Sequence, residues 1–498
     1  MCLSGVKEQV KDRNLQIEHL PPVKSSPQFL LLWGIATWLI LSIPNVAVAQ
    51  GEPRQESEGV SSTSTRPQDT DSAGAERSRS VTQGPPTYGK AEKAGLSYAG
   101  TPPPRNILLL GFSSGSSYDD NIFGNNQNRV GDVDFLFGPS LSLHRDGRLL
   151  SLALSYQPYF RIYRRASEPN AVDQTLALDV AYQATSRFSL RARGSAYYTT
   201  GFFEPSQNVE FVPGLGSLSS LNNTLYTPVT RQLTWSSRID ASYQARAHDS
   251  IGLFAGDSRL NFTQQVSSAG YLQNTEERQA GLLYEHRLSP HTTFGSNYLF
   301  EDIRFGLDSR TLVHSVFLSY AQQVSRSVTL SVFGGPQYSR LHEFVIFPIG
   351  PFRFQVPIFQ VGWYWALGGT LTKQLNNTVL QLTAQRQVSN GGGFVGAVVG
   401  TSAVASIRRR LPWRWDATWS GSYARNTSVA SGNYASRFES EAAGFNLQRS
   451  LRESLSFSLG YSFLRQRGNG QLPYFASFDR NLYSAQLVYR FHQISLGR

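Results

Sequence analysis

Residues Leu455 to Phe463, LSFSLGYSF, decide the fold of this chain. Every second residue of this stretch is a large apolar one, and the residues between them are Ser or Gly. An alternation with a period of two predicts a β-strand that has one apolar face and one polar face. Residues Asn481 to Phe491, NLYSAQLVYRF, repeat the pattern with Tyr483, Leu487 and Tyr489 on one face.

The same alternation recurs from Asn106 to Phe491, and the breaks between the apolar segments come in two lengths. The eight short breaks fall at 146–147, 185–187, 248–249, 289–291, 325–326, 376–377, 410–412 and 451–453. Nine longer polar breaks lie between them, at about 121–131, 165–173, 199–230, 266–275, 305–310, 340–355, 388–394, 426–435 and 466–480. Seventeen connections predict eighteen strands, or sixteen or twenty if one hairpin is miscounted.

An even number of strands, joined by short turns at one end and long loops at the other, is typical of a bacterial outer-membrane barrel. The predicted fold class is therefore all-β: a transmembrane antiparallel up-and-down β-barrel in the outer membrane. The alternative is a secreted soluble β protein. Only 16% of the residues are charged, against about 25% in soluble domains. A helical membrane protein is excluded, because no apolar run of membrane-spanning length follows the N-terminal segment.

The N-terminal region predicts export and then a disordered tail. The apolar run Phe29 to Ile43 is followed by Ala47-Val48-Ala49, so residues 1–49 are interpreted as a cleaved signal peptide. Residues 50–105 are rich in Ser, Pro and Gly and are interpreted as a disordered periplasmic tail, either a linker or a docking arm. The barrel is assigned to 106–491, and 492–498 form a short C-terminal extension. The single cysteine, Cys2, lies before the cleavage site, which excludes disulfides and thiolate metal sites from the mature chain.

The polar face of the strands predicts the wall of a lumen. Its charged candidates are Arg191, Arg193, Arg238, Asp240, Arg246, Arg414, Asp416 and Arg490. The net charge of +11 lies wholly in residues 101–498, because the first hundred residues carry as many acids as bases. Arginine in a pore favours anions, so the sequence suggests a preference for anionic solutes. Two alternatives remain open: the arginines form pairs with wall acids, or they lie at the outer rim against lipid phosphate.

The stretch Tyr118-Asp119-Asp120-Asn121-Ile122-Phe123 resembles the Y-D-D-N motif at the end of the first strand in a family of bacterial outer-membrane β-barrel porins. The turn sequences around Pro290, Arg326 and Asn376 are also similar. Some members of this family accompany exopolysaccharide secretion. The resemblance implies an outer-membrane channel for sugars or a secreted polymer. Asp119 and Asp120 form either a Ca²⁺ site or a solvated strand end.

The predicted function is that of a porin for the passive diffusion of small polar solutes, anionic or saccharide, and not that of an enzyme. No catalytic residue, metal or cofactor is expected; His342 beside Glu343 is the one rim histidine, interpreted as a loop ion pair. The expected partners are outer-membrane lipid, the barrel-assembly machinery and periplasmic export proteins. Nucleic acid is not expected, since the arginines are spread over many strands. The alternatives are a component of exopolysaccharide export and a plugged structural barrel. Loops 199–230 and 340–355 are expected to fold inward.

Overall fold

The computed structural model describes most of the predicted barrel. The described residues are 106–166, 170–199, 211–212, 216–217, 225–226, 230–262, 272–306, 309–349, 352–393, 395–429, 436–469 and 477–496. The predicted signal peptide and the predicted tail lie outside them. Within them, no helix is long and apolar enough to span a membrane.

Eighteen strands form the barrel. They are β1 (Asn106–Asp119), β2 (Asp132–Asp146), β3 (Leu150–Tyr163), β4 (Ala171–Gln183), β5 (Phe188–Thr199), β6 (Gln232–Gln244), β7 (Asp249–Phe262), β8 (Thr275–Ser289), β9 (Thr292–Phe305), β10 (Ser309–Ser325), β11 (Val328–Ile349), β12 (Phe352–Leu375), β13 (Thr378–Gly391), β14 (Val395–Leu411), β15 (Trp415–Ser428), β16 (Arg437–Ser450), β17 (Leu455–Asn469) and β18 (Phe478–Arg490). A two-residue ladder, Phe211–Val212 with Gly216–Ser217, lies in the β5–β6 connection.

Each strand pairs antiparallel with the next, and β1 pairs with β18, so the sheet closes on itself. The closing register runs from Gly111 opposite Arg490 to Asp119 opposite Leu482. Beyond β18, Ile494 and Ser495 continue along the lower part of β1. The predicted all-β fold with eighteen antiparallel strands is confirmed.

The outer face of this barrel is apolar. Its large residues remain exposed although they alternate with polar ones, including Phe112, Phe135, Ile239, Leu253, Leu282, Val316, Leu318, Leu367 and Leu382. Aromatic rings join neighbouring strands on this face: Tyr483 lies 6.4 Å from Tyr118 and 5.0 Å from Tyr461, measured between ring centroids. An exposed apolar belt with aromatic residues is the surface that contacts lipid in outer-membrane barrels. The chain is an outer-membrane β-barrel.

All eight predicted short turns are confirmed at one end of the barrel, but three predicted long loops are wrong. The connections near 305–310 and 388–394 shrink to three residues each, 306–308 and 392–394. The predicted loop 340–355 is mostly strand, because β11 and β12 stay paired up to Ile349 opposite Phe352. These two strands have 22 and 24 residues, whereas the others have 12 to 17. The hairpin therefore extends the wall and does not form an inward plug.

The Y-D-D-N stretch fastens β1 to β18 at the loop end. The buried carboxylate of Asp119 forms an ion pair of 2.7 Å with Arg480. Asp120 accepts hydrogen bonds from the backbone and side-chain nitrogens of Asn481, at 2.7 and 2.6 Å. The side chain of Asn121 donates to the Asp479 carbonyl at 2.8 Å. These acids are neither a solvated strand end nor part of a cluster of three or more metal-binding side chains, of which the described residues contain none.

We predict that Arg480→Ala destabilises the barrel by about 3–5 kcal/mol, because it leaves the Asp119 carboxylate buried without its cation. Arg437→Ala is the matched control, since its pair with Glu439 is exposed to solvent and such pairs contribute about 0–1 kcal/mol. The measurement is the urea concentration at which half of the refolded protein is unfolded, with the gel-mobility shift of folded barrels as the readout. Equal midpoints for the two variants would refute the role of this ion pair.

Candidate functional site

The inner face of the barrel carries most of the candidate residues. Residues directly opposite each other in the register share a face, and alternate residues face inside and outside. The exposed apolar belt identifies the outer face, so the other set faces the lumen. Of the eight candidates, six lie on the inner face: Arg191, Arg193, Arg238, Asp240, Asp416 and Arg490.

Arg246 and Arg414 are not on the wall, which corrects their assignment as lumen residues. Strand β6 ends at Gln244, and Arg246 lies in a turn closed by mutual backbone hydrogen bonds with Asp249. Arg414 follows Pro412 in a short 3-10 turn and has a φ of 61°, in the left-handed region. Both residues lie at the short-turn mouth of the barrel, because the alternation of each strand stops before it reaches them.

Five arginines of the inner wall form ion pairs with aspartates. Arg161 lies 3.5 Å from Asp134 and 3.3 Å from Asp173. Asp240 forms ion pairs with Arg238 at 2.6 Å and with Arg193 at 3.0 Å. The same arrangement joins Arg191 to Asp179 and Arg480 to Asp119. These five arginines are therefore compensated by wall acids and do not form a ring of free cations.

On the described inner face, eleven acids outnumber nine bases. The bases are Arg161, Arg191, Arg193, Arg238, Arg287, Arg408, Arg410, Arg480 and Arg490; the acids are Asp119, Asp132, Asp134, Asp146, Asp173, Asp179, Asp240, Glu277, Glu285, Glu301 and Asp416. Many other arginines lie on the outer face above the apolar belt, including Arg259, Arg278, Arg304, Arg310, Arg340, Arg425, Arg437, Arg465 and Arg467. The positive surplus thus belongs largely to the outer rim and the turns.

The inner wall also contains aromatic residues that the alternation did not indicate. Phe254, Phe317 and Phe333 are buried on the inner faces of β7, β10 and β11, packed with Leu299 and Ala366. The rings of Phe317 and Phe333 meet edge to face, with centroids 5.6 Å apart. The guanidinium carbon of Arg238 lies 3.9 Å from the Phe254 ring centroid. Glycines supply the space: a Cβ at Gly281 or Gly368 would overlap the ring of Phe254 or Phe333, respectively.

Part of the β5–β6 connection is bound to the opposite inner wall. Tyr226 donates its backbone N–H to Oε1 of Gln466 at 2.9 Å, and its carbonyl accepts from Nε2 of Gln466 at 3.1 Å. Gln466 lies on the inner face of β17, whereas the connection begins and ends at β5 and β6. The ring of Tyr226 packs with Leu464 and Phe478. Tyr226 therefore lies inside the barrel at the loop end.

The tip of the β13–β14 hairpin is a second element inside the barrel. Asn390 donates to Glu277 of β8 at 3.0 Å, and the Gly393 carbonyl accepts from the Gln273 backbone N–H at 2.7 Å. Val388 and Ala397 of the hairpin pack against apolar inner-face residues of β9 to β11, namely Ile303, Phe305, Val313 and Leu341. The hairpin tip thus covers the inner face of β8 to β11 and narrows the lumen at the loop end.

His342 lies on the outer face, where its ring stacks on Phe359 with centroids 4.5 Å apart. This position follows from the strand register, in which His342 opposes both Arg310 and Phe359. The side chain of Glu343 lies outside the described residues, so the predicted ion pair stays a prediction.

No family model and no curated protein matches this chain. Among solved structures, OccK2 (OpdF) of Pseudomonas aeruginosa matches at 11% identity and a TM-score of 0.39, covering 77% of this chain and 98% of that one. The outer-membrane protein OpdK of the same organism matches at 13% identity and 0.39, covering 78% and 99%. The ferric citrate transporter FecA matches at 10% identity and 0.38, covering 74% and 61%.

Proposed function

We propose that this protein is an outer-membrane channel through which small polar solutes diffuse passively. The observation that carries the proposal is the polarity of the inner face: a closed transmembrane sheet has water-compatible Arg, Asp, Ser, Gln and Asn side chains lining its interior. A wall facing a packed apolar core would not carry such residues, because each buried polar group requires a partner. Polar interiors are characteristic of barrels that hold water.

The chemistry of the wall favours neutral, hydroxyl-rich solutes such as sugars over simple anions. Paired arginines and aspartates present donors and acceptors side by side, while their fields largely cancel. A hydroxyl group can both donate and accept, so it can exchange partners along such a wall. The surplus of arginine at the outer rim adds little to the field in the lumen, because exposed charges are screened within about 10 Å. We therefore propose weak ion selectivity.

The solute size is set at the loop end by the β5–β6 connection and the β13–β14 hairpin. Both lie against the inner wall, from opposite sides of the barrel, in the described residues. Most of loop 199–230 lies outside the described residues, and the contact between Tyr226 and Gln466 supports its proposed inward course. The experiment that tests the proposal is planar-bilayer recording of the pure refolded protein. Stepwise conductance is expected, and a protein that inserts without conductance would contradict the channel function.

We predict that Asp240→Asn makes the channel more selective for anions. The change removes the carboxylate shared by Arg193 and Arg238, so the wall gains one uncompensated positive charge there. The reversal potential in a KCl gradient should move towards the chloride equilibrium potential. Asp257→Asn is the control, because Asp257 pairs with Arg259 on the outer face. An equal shift in both variants would show that Asp240 does not act through the lumen.

We also predict that Gln466→Ala raises permeability to sugars, because Tyr226 loses both hydrogen bonds that hold it to the wall. Proteoliposome swelling with sugars of increasing size should show faster entry and a larger size limit than the unmodified protein. Gln381→Ala removes an inner-face glutamine on β13 far below the constriction and should leave both unchanged. A swelling rate that does not change in Gln466→Ala would contradict the role of this loop.

A further inference from the structure

The wall of the barrel is interrupted between β12 and β13 at the loop end. Their register runs from Leu375 opposite Thr378 to Leu367 opposite Arg386 and stops there. Above this point β12 remains paired with β11, and β13 remains paired with β14 as far as Gly391. Among the described residues, β12 above Leu367 and β13 above Arg386 therefore share no ladder.

The side chain of Gln337 replaces the missing ladder for β13. Its Oε1 accepts the backbone N–H of Val388 at 2.9 Å, and its Nε2 donates to Oγ of Ser315 at 2.9 Å. Gln337 lies on the inner face of β11 and is 1% exposed. The edge of β13 is thus bound to the interior of the wall two strands away, which keeps the hairpin tip inside the barrel.

The tip of the β13–β14 hairpin overlaps the inner face of the wall, and the upper part of β12 lies on the outer side of this overlap. Trp363 and Trp365 face outward and are 71% and 66% exposed. On the outer face, Arg340 of β11 lies opposite Val361, six residues above the end of the β12–β13 ladder, and Arg386 of β13 lies at that end, opposite Leu367. A charged side chain is costly in hydrocarbon, so Arg386 indicates that the ladder ends at the level of the lipid headgroups. At that level water can reach the backbone groups of the open edge, so the interruption is compatible with a membrane-embedded barrel.

We propose that the β13–β14 hairpin tip is a movable gate of the channel, with a tucked state inside the barrel and a zipped state in the wall. In the zipped state, the register continues upward with Val388 opposite Trp365 and Asn390 opposite Trp363. The Val388 N–H exchanges the Gln337 side chain for a ladder bond to β12, so the exchange replaces one hydrogen bond with another. The turn at the tip suits this movement, because Gly392 and Gly393 have φ values of 61° and 87° that bulky residues rarely adopt.

The zipped state moves the hairpin tip off the inner face of β8 to β11 and widens the lumen. The gate rests on the proposed channel function, but its movement is a property of the fold and can be measured without any conductance. The chain has a single cysteine, Cys2, ahead of the barrel. Replacement of Cys2 with serine therefore leaves introduced cysteine pairs as the only thiols.

The test is the double variant Trp365→Cys with Val388→Cys, oxidised in the folded, membrane-embedded protein. In the tucked state these residues lie on opposite sides of the wall, because Trp365 is exposed outside and Val388 is 2% exposed inside. A disulfide requires nearby Cα atoms and side chains that point towards each other, and the zipped register provides both because it makes the two residues direct partners on one face. Leu367→Cys with Arg386→Cys is the control, since these residues are register partners in the structure and should be linked completely.

We expect the upper pair to become linked progressively under mild oxidant, more slowly than the control pair. A folded barrel in which the control pair links and the upper pair never does would overturn the proposal. If the upper pair links and the bilayer shows no conductance, the gate stands and the channel function fails. If the bilayer shows conductance and the upper pair does not link, the channel function stands and the gate fails.

A second measurement leaves Trp365 and Val388 unchanged. Gln337→Ala removes the acceptor of the Val388 N–H in the tucked state only, which should shift the ratio of the two states by about tenfold towards the zipped state. In planar-bilayer recordings, channels of the Gln337→Ala variant should spend more time at the higher conductance level than channels of the unmodified protein. Ser331→Ala, on the same face of β11 below the overlap, should behave as the unmodified protein. A single conductance level, identical in both variants, would overturn the gate.

Discussion

The pairing of backbone N–H and C=O groups in a medium without water governs this molecule. Hydrocarbon offers these groups no partner, so a sheet that crosses the membrane must close on itself. The closure falls between β1 and β18, and the chain reinforces it with the buried Asp119–Arg480 ion pair and the Asp120–Asn481 hydrogen bonds. These contacts lie at the loop end, next to the headgroup region. The outer alternation of apolar residues then follows from closure, because every strand has one face to lipid.

The same constraint explains where the barrel departs from regularity. The β12–β13 ladder ends at Leu367 and Arg386, near the level where charged residues first appear on the outer face. Below that level an open edge would be costly, and the ladder there is continuous. Above it, the Gln337 side chain accepts the Val388 N–H, and the headgroup region gives the other backbone groups of the edge access to water. The upper part of the wall is therefore free to overlap, and the overlap places a hairpin inside the lumen. The polar inner face and this overlap together define the proposed passage.

The strand ladder could be predicted from the sequence because it is a local property. Alternation with a period of two and turn residues such as Asn376 and Asn377 identify strands and short turns without long-range information. The extension of β11 and β12 was missed because Pro348 suggests a loop, whereas the pairing of the hairpin continues past it to Ile349 opposite Phe352. The partners of the wall arginines and the Phe254–Phe317–Phe333 cluster were missed because they depend on which strands are neighbours. Inner aromatic residues are signalled only by glycines on adjacent strands, such as Gly281 and Gly368.

The eighteen-stranded sheet closes between β1 and β18 in one register, and the rest of the fold depends on that closure. The most direct measurement is disulfide formation across that junction in the membrane-embedded, Cys2-free protein. Ser116 and Ala485 are register partners, so the pair Ser116→Cys with Ala485→Cys should link rapidly and completely. The pair Ser116→Cys with Leu487→Cys lies on the same face but two residues out of register, and it should remain largely unlinked. Preferential linkage of the second pair, or linkage of neither pair in folded protein, would contradict the closed barrel described here.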